Sequence, residues 1–549
     1  MTSPDSFCFI STYNSSHELV GMLLSLSIHH NESKVYGLVD TETYNLITTF
    51  IPKIQLQMFL KVSLNKYSNK NRSIMEKEKI WDEFQMQKAN VIKYALENEK
   101  DTMFLDSDIL FLNPINCIDK TKELGLSPHY VKKTNTDEVG YYNGGCLWTK
   151  NKNVPDDWIE FTKTSRYHDQ ASIEDLAKKY SFQEYDKEIN FMPWRILLAN
   201  NPQEVVNSIN TNNNQINIAN KPLAFLHTHF DDQRFVQINY IFIDALRKLK
   251  RYKELLIIDR IINKNWTIKI PKQPQQGIWR HANDSFRELA LLYKKNNNDV
   301  NIELIDNGHC WLGNHVLLYD RPTQEWFNQD LANSSLILLG NGDINKEGQT
   351  LKQNNLNVKP WIFWPRRPFI MEKYLEANKT KSYNEKNIES IFIGNIENNV
   401  QNQYRNTNDN WENVLDVYHC THRFFPIHRY FTGTQHKFSQ EEYLEQLSKS
   451  KYGLCLRGYG SKCHREVELM ALGTVPIITD SVSIDSYMDP PQENIHYIRC
   501  NNPENLKTIL SNISQEQWET MSNNCYNWYQ KNVHSKNSFN NFLTNILYN

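Results

Sequence analysis

Thr102-Met103-Phe104-Leu105-Asp106-Ser107-Asp108-Ile109-Leu110-Phe111-Leu112 carries the reading of this chain. A short apolar run bounded by turn formers reads as a buried strand, and this one ends in Asp-X-Asp. In an open α/β sheet, ligands bind beyond the carboxyl ends of the strands. Two carboxylates placed there cost free energy unless a cation neutralises them. Hard oxygen donors favour Mg²⁺ or Mn²⁺, ions that keep open positions for phosphate oxygens and act as Lewis acids toward a departing diphosphate. An acidic turn after a strand is the bland alternative, and a bare Asp-X-Asp does not separate the two.

Upstream, Phe7-Cys8-Phe9-Ile10 reads as a strand ending in Ser11-Thr12-Tyr13-Asn14. A helix follows over Leu19 to Ile28, then a second strand over Val35 to Asp40. This alternation implies a parallel sheet with crossover helices. The pattern predicts one long helix over Glu76 to Glu97, leading into the Asp-X-Asp strand. Downstream, the first half ends after His227-Thr228-His229-Phe230. From Phe235 to about Lys264 the pattern is helical and basic (Arg247, Lys248, Lys250, Arg251, Lys253). It reads as a connecting helix with a solvated charged face, followed by a linker at Pro271 to Gly277. The second half alternates again. Its strand candidates are 302–305, 315–319, 336–339, 361–364, 390–393, 452–456 and 475–479, with helices over 440–449, 463–472 and 515–531. The expected class is α/β throughout, with domains at 1–235, 278–385 and 386–549 and a connector at 236–277.

Composition narrows the function. The 549 residues include 61 Lys+Arg and 63 Asp+Glu, a formal charge of −2. No global basic field exists to hold nucleic acid or an anionic membrane. No apolar run reaches the roughly 18 residues of a membrane span, and the N-terminus lacks the basic and apolar regions of a signal peptide. Nine scattered cysteines, with no CxxC spacing, read as reduced thiols. A cytoplasmic location is expected, and the oligomeric state is left open.

The block Lys88 to Leu96, followed by Met103 to Ile109, resembles GT-A nucleotide-sugar glycosyltransferases, particularly families 8 and 77. Further landmarks follow in the families' order: Tyr141-Tyr142-Asn143-Gly144-Gly145, His168-Asp169-Gln170 and His227-Thr228-His229-Phe230. The resemblance covers about residues 5–235 and implies roles residue by residue. Asp108 binds a divalent ion, Mn²⁺ or Mg²⁺, and Asp106 binds the ion and the donor ribose or sugar. His229, which precedes an aromatic residue as in the families, is favoured over His227 as third metal ligand. Lys88 offsets phosphate charge, and Gly144 lets the backbone approach the sugar. Asn143, Asp169 and Gln170 hold donor-sugar hydroxyls and shape the acceptor face, so they are the catalytic candidates. Thr12 and Tyr13 touch the base, with packing an equal reading for Tyr13. These families retain anomeric configuration. No carboxylate nucleophile pair is assignable, so front-face attack with the leaving phosphate as base is the expected mechanism.

The segment Lys451 to Ile478 reads as a strand, a Gly-rich loop, a helix starting near Cys463, and a second strand after Gly473. Loop amides and a helix N-terminus make an anion site, and Arg457 and Arg465 add cations suited to a diphosphate. Glu468, three residues after Arg465, shares its helix face and could accept both hydroxyls of a ribose. The block resembles the donor-binding half of GT-B glycosyltransferases, most closely the exostosin-like family 47. Phe392-Ile393-Gly394-Asn395 with Arg405 matches that family's Phe-x-Gly strand and following arginine, and Gly458 and Gly460 belong to its loop. The resemblance implies a metal-independent, inverting site whose base comes from the other half-domain, where Asp306, His309 and Asp320 are candidates. His419, His422 and His428 fit no metal spacing and read as aromatic-loop packing.

The expected function is a bifunctional glycosyltransferase using nucleotide-diphosphate sugars, possibly UDP-linked, on a glycan acceptor. Two alternatives stay open. One is a single active transferase fused to a degenerate glycan-binding domain. The other is a metal-dependent nucleotidyltransferase, against which stands the missing Gly-rich, Lys/Arg-bearing N-terminal loop.

Overall fold

The computed structural model describes residues 2–50, 54–272, 280–306, 308–319, 327–396, 399–405, 410–422, 438–458 and 460–548. The chain forms two compact units that divide between Asn265 and Trp266.

The strands that build the first unit's site are β1 (Ser6–Ser11), β2 (Lys34–Val39), β3 (Gln57–Val62), β4 (Thr102–Leu105), β5 (Ile109–Phe111), β6 (Leu124–Pro128), β7 (Tyr142–Thr149), β8 (Phe182–Glu184), β9 (Asn190–Phe191) and β10 (Phe225–His227). The helices that matter are α1 (Ser16–His29), α2 (Gln87–Leu96), α3 (His168–Ala171), α4 (Trp194–Leu197), α5 (Val236–Lys248) and α6 (Tyr252–Asn263). A seven-stranded sheet has the order β3-β2-β1-β4-β7-β6-β8. β1, β2, β3 and β4 run parallel, and β7 pairs antiparallel to β4. β4 is fully buried between β1 and β7, with α2 packed on it, which is why Met103, Phe104 and Leu105 are apolar without alternation. Ala89, Ile92 and Leu96 of α2 pack in one core with Tyr36 and Phe104.

The expected helix over 76–97 is instead three pieces, Arg72–Lys77, Trp81–Gln85 and Gln87–Leu96. Lys79 adopts a φ of 57°, a left-handed conformation that no continuous helix accommodates. The basic segment expected to be one connecting helix is likewise two. The chain reverses at Lys250, whose φ is 54°, and α6 buries Leu255, Leu256, Ile257, Ile258 and Ile261. A methyl group on Gly21 of α1 would collide with the Ile261 side chain, so α6 packs that side chain directly on the α1 backbone. This segment is therefore part of the first unit's core and not a solvated connector.

Among the described residues the second unit holds two sheets. The first contains β11 (Trp266–Pro271), β12 (Val300–Ile305), β13 (Cys310–Leu312), β14 (Val316–Tyr319), β15 (Leu336–Leu339) and β16 (Val358–Pro360), in the order β12-β11-β13-β14-β15-β16. The second contains β17 (Ile388–Ile396), β18 (Val417–His422), β19 (Ser450–Cys455), β20 (Val475–Ile478) and β21 (Ile498–Arg499), all parallel, in the order β18-β17-β19-β20-β21. Helix α7 (His464–Ala471) connects β19 to β20. The α/β class expected from the sequence, with a mixed seven-stranded sheet in the first unit and an all-parallel five-stranded sheet in the second, is what the structure shows. One expected strand is absent: β16 ends at Pro360, the Trp361 amide makes one last bond to the Leu339 carbonyl at 3.1 Å, and residues 361–364 are buried as irregular chain, with the Trp361 and Trp364 ring centroids 5.2 Å apart. Most of the expected linker at 271–277 lies outside the described residues.

Candidate functional site

Asp106 and Asp108 leave β4 at the carboxyl edge of the large sheet, the same edge at which β1 delivers Thr12 and Tyr13. A second, three-stranded sheet, ordered β5-β10-β9, then meets them. β5 starts one residue after Asp108, and the antiparallel register pairs His227 with Ile109. The pairing continues past the strand end, where the Thr228 amide donates to the Asp108 carbonyl at 3.0 Å. That register brings His227 to the aspartates: its Nε2 lies 3.2 Å from Asp108 Oδ1 and 3.8 Å from Asp106 Oδ2.

The three side chains offer two oxygens and one nitrogen, all within 4.8 Å of one another. Gly145 walls the cluster, and a Cβ there would collide with Asp106 Oδ2 and His227 Cε1. Hard oxygens plus an imidazole, held apart by a cradle that only glycine leaves open, fit a divalent cation. Burial of charge shapes the titration. Burial raises Asp106, with Asp108 adding to the rise and Lys88 opposing it. Burial also works against charge at Asp108, yet His227 and His229 hold its carboxyl well below the usual range.

His229, the histidine favoured from the sequence, lies two residues beyond the end of β10. Its Nδ1 is 2.7 Å from the buried Glu18 carboxylate of α1, and its Nε2 is 3.5 Å from Asp108 Oδ2. The Glu18 hydrogen bond, against burial and helped by Asp108, pushes His229 up to about 10. The histidine that faces both aspartates is thus His227, and His229 stands beside the cluster.

Lys88 is buried on α2, only 6% exposed. Its Nζ donates to Asp169 Oδ2 at 3.0 Å and to the Gly144 carbonyl at 3.3 Å, and lies 3.4 Å from Asp106 Oδ1. The role expected for it, a cation facing phosphate, gives way to a cation shared by two aspartates. Burial depresses its charge, but Asp106 and Asp169 outweigh that and raise it. Asp169 on α3 is itself buried against Lys88 and Gly144.

A cavity of about 510 Å³ opens on the cluster. Asp108, His227 and His229 line it together with Asn143 and Gln170. Asn143 Oδ1 accepts from the Gly145 amide at 3.0 Å, so the small-residue turn is braced from inside. Thr12 is buried, while Tyr13 is half exposed with its amide donating to Asp40 Oδ2 at 3.1 Å. Sequence reasoning missed Glu18, His129, Trp194 and Phe235. The aromatic pair lies on the segments that leave β9 and β10, Trp194 opening α4 and Phe235 preceding α5, so only the small sheet's pairing would have revealed it.

In the second unit, Arg465 and Glu468 sit on α7, and the loop before it follows β19. Arg465 lies 4.4 Å over the Phe392 ring and donates to the Ile393 carbonyl at 2.6 Å, against Gly394, where a Cβ would stand 2.8 Å from its Nη2. Its Nε and Nη1 are buried without partners. Arg405 Nε donates to the Arg457 carbonyl at 3.0 Å. The Gly458 amide is 3.0 Å from Cys463 Sγ, and Gly460 is pressed against Asn341. Glu468, expected to meet a ribose, is 2% exposed and accepts from the Arg366 amide at 2.9 Å. Of the candidate bases, Asp306 is exposed and paired with Lys272 at 2.7 Å, His309 is buried with its Nδ1 2.7 Å from Asp330, and Asp320 lies outside the described residues. His419 packs its ring 5.5 Å from Phe438; His428 and the His422 side chain lie outside the described residues.

No protein-family model matches the chain, and no curated protein matches it in sequence. Among solved structures the chain is similar to the apo form of mouse xyloside xylosyltransferase 1, at 8% identity and a TM-score of 0.25, over 34% of this chain and 86% of that one. It is also similar to the glycosyltransferase GlyE of Streptococcus pneumoniae TIGR4. One structure matches at 12% identity and a TM-score of 0.29 over 92% of this chain and 98% of that one. The apo form matches at 12% and 0.30 over 93% and 98%. The functional reading rests on the geometry of the site itself. Among the described residues no helix is long and apolar enough to cross a membrane.

Proposed function

We propose that the first unit is a metal-dependent glycosyltransferase of the GT-A type, moving a sugar from a nucleotide-diphosphate donor to a glycan acceptor. The observation that carries this is the convergence of Asp106, Asp108 and His227 on a glycine-walled cluster opening into the cavity. Those three residues, with His227 in the place first given to His229, would hold Mn²⁺ or Mg²⁺. Such an ion, when bound, supplies positive charge to a departing diphosphate. Gln170 and Asn143 face the cavity and orient donor hydroxyls. Thr12 and Tyr13 mark the edge for the base. Asp169 is paired with Lys88, and among the described residues lining the cavity Asp108 is the one carboxylate, which supports retention by front-face attack over double displacement. Calorimetry of UDP binding with and without Mn²⁺ tests this. We expect Mn²⁺-assisted binding that Asp106→Asn and Asp108→Asn each weaken about a hundredfold or more, the loss of a charged ligand worth ~3 kcal/mol. Equal binding by wild type and both variants refutes it.

For the second unit the same proposal gives Arg405, Arg457, Arg465, Gly394, Gly458 and Gly460 to a metal-independent, inverting donor site. The unpartnered Arg465 Nε and Nη1 support an anion there. The burial of Glu468 under the Arg366 amide favours a second reading, in which this unit binds acceptor glycan without transferring. Donor hydrolysis by the Asp106→Asn/Asp108→Asn chain separates them: a chelator-resistant residue of activity supports two transfer sites, and none supports the second reading.

A further inference from the structure

The cavity has a wall whose chemistry the donor site does not use. Trp194 at the start of α4 and Phe235 just before α5 both line it. Their rings meet edge-to-face at 5.1 Å, with the Arg234 guanidinium 5.8 Å from the indole centroid and 5.3 Å from the Phe235 ring. Trp194 is nevertheless 37% exposed. A large aromatic held by neighbours but left open to a cavity marks a binding surface. Trp194 opens the helix that follows β9 and Phe235 caps the helix that follows β10, so both sit on segments leaving the small sheet, whereas the base edge belongs to the large sheet. The platform is therefore distinct from the nucleotide's edge yet shares the cavity of Asp108.

The two arginines at this wall each have a carboxylate partner. Arg234 is paired with Asp232 at 2.7 Å and Arg72 with Glu76 at 2.6 Å. Burial pushes the His129 imidazole down to about 4, so it is neutral at working pH. An aromatic face flanked by neutralised cations suits a ring with an apolar C–H face and no charge of its own.

Resting on the glycosyltransferase reading, we propose that Trp194 is the acceptor platform and that the acceptor is a neutral pyranoside stacked on its indole. A phosphorylated or sialylated acceptor, or a bare polypeptide hydroxyl, lacks that match. The test applies the full chain, with UDP and Mn²⁺, to immobilised neutral glycans, sialylated and phosphorylated glycans, and peptides. Wild type should bind a subset of the neutral glycans best. Trp194→Ala should lower that signal about tenfold, as expected for a lost aromatic stack, and Trp194→Phe should recover most of it. Trp194→Leu, which fills the space without an aromatic face, takes the place of the alanine variant if circular dichroism shows that one unfolded. Mn²⁺-assisted UDP binding should be unchanged in each folded variant. Preference for charged glycans or peptides, absence of any glycan binding, or undiminished binding by the non-aromatic variants overturns the proposal. Loss of UDP binding by wild type counts instead against the donor site, so the two failures are distinguishable.

Discussion

Lys88→Met is the most informative single perturbation of the first unit. The lysine Nζ stands 3.0 Å from Asp169 and 3.4 Å from Asp106. At an effective dielectric near 20, each contact is worth about 5 kcal/mol of attraction before the cost of burying the charges. That cost cancels much of the gain, but removing the lysine leaves the buried Asp169 and the part-exposed Asp106 uncompensated, a loss of about 3 kcal/mol, the low end for a broken buried pair. Methionine conserves the length of the chain, so packing contributes little to the difference. In chelator, scanning calorimetry of the full chain should show the first unit's transition shifted down by that amount. Mn²⁺ at a hundred times its Kd adds about 2.7 kcal/mol to a protein that binds it only when folded. It should stabilise the variant more than wild type, because in wild type Lys88 already neutralises Asp106. A variant as stable as wild type in chelator would refute the claim that Lys88 is the resident counter-charge. Equal stabilisation of the two by Mn²⁺ would refute the claim that lysine and ion compete for Asp106.

Two predictions concern the second unit. Burial raises the Glu466 carboxyl from 4.5 to about 7. Between those values the unfolded chain has released its proton while the folded chain keeps it, so the group's contribution is complete below pH 4.5 and is lost as pH rises through 7. The loss is about 3 kcal/mol; Glu466→Gln should flatten that slope and make the unit more stable than wild type above pH 8 in denaturant melts, and an unchanged slope refutes it. Lys462 is 1% exposed and its Nζ donates to the carbonyls of Leu339, Trp361 and Ser486 at 3.2, 3.2 and 2.8 Å. Lys462→Met strands those carbonyls and should cost ~3–5 kcal/mol in the second unit's unfolding transition while leaving the first unit's in place; a change below about 1 kcal/mol refutes the clamp.

The sequence was most legible where one local pattern determined the outcome. The strand 102–105 and its terminal aspartates were found because a run buried on both faces has no alternative period, and 336–339 was found for the same reason. It was least legible where a single residue's backbone or a distant partner decided. Lys79 broke a helix that its neighbours' periodicity supported. Trp361 to Trp364 had the apolarity of a strand, yet the ladder with β15 stops at the Trp361 amide and the rings pack on each other instead. Lys88 reads as a cation for phosphate until Asp169, 81 residues away, is placed beside it.

The choice between His227 and His229 shows what kind of information was missing. Both histidines precede or flank an aromatic loop, and side chains two residues apart share a face of a strand. Composition and spacing therefore treat them alike. What separates them is where the strand stops. β10 ends at His227, whose register partner Ile109 follows Asp108 directly, so that imidazole is carried to the aspartates by backbone pairing alone. His229 lies past the ladder and takes a partner from α1, 211 residues away in the chain. The cluster is thus assembled by two sheets that share a single junction, with β4 supplying both aspartates and the start of β5 fixing the register that supplies the histidine. The same small sheet then places Trp194 through β9. A change that slipped the β5–β10 register by one residue would exchange the faces of its side chains and take His227 out of the cluster, which ties the geometry of the donor site to that of the aromatic wall opposite it.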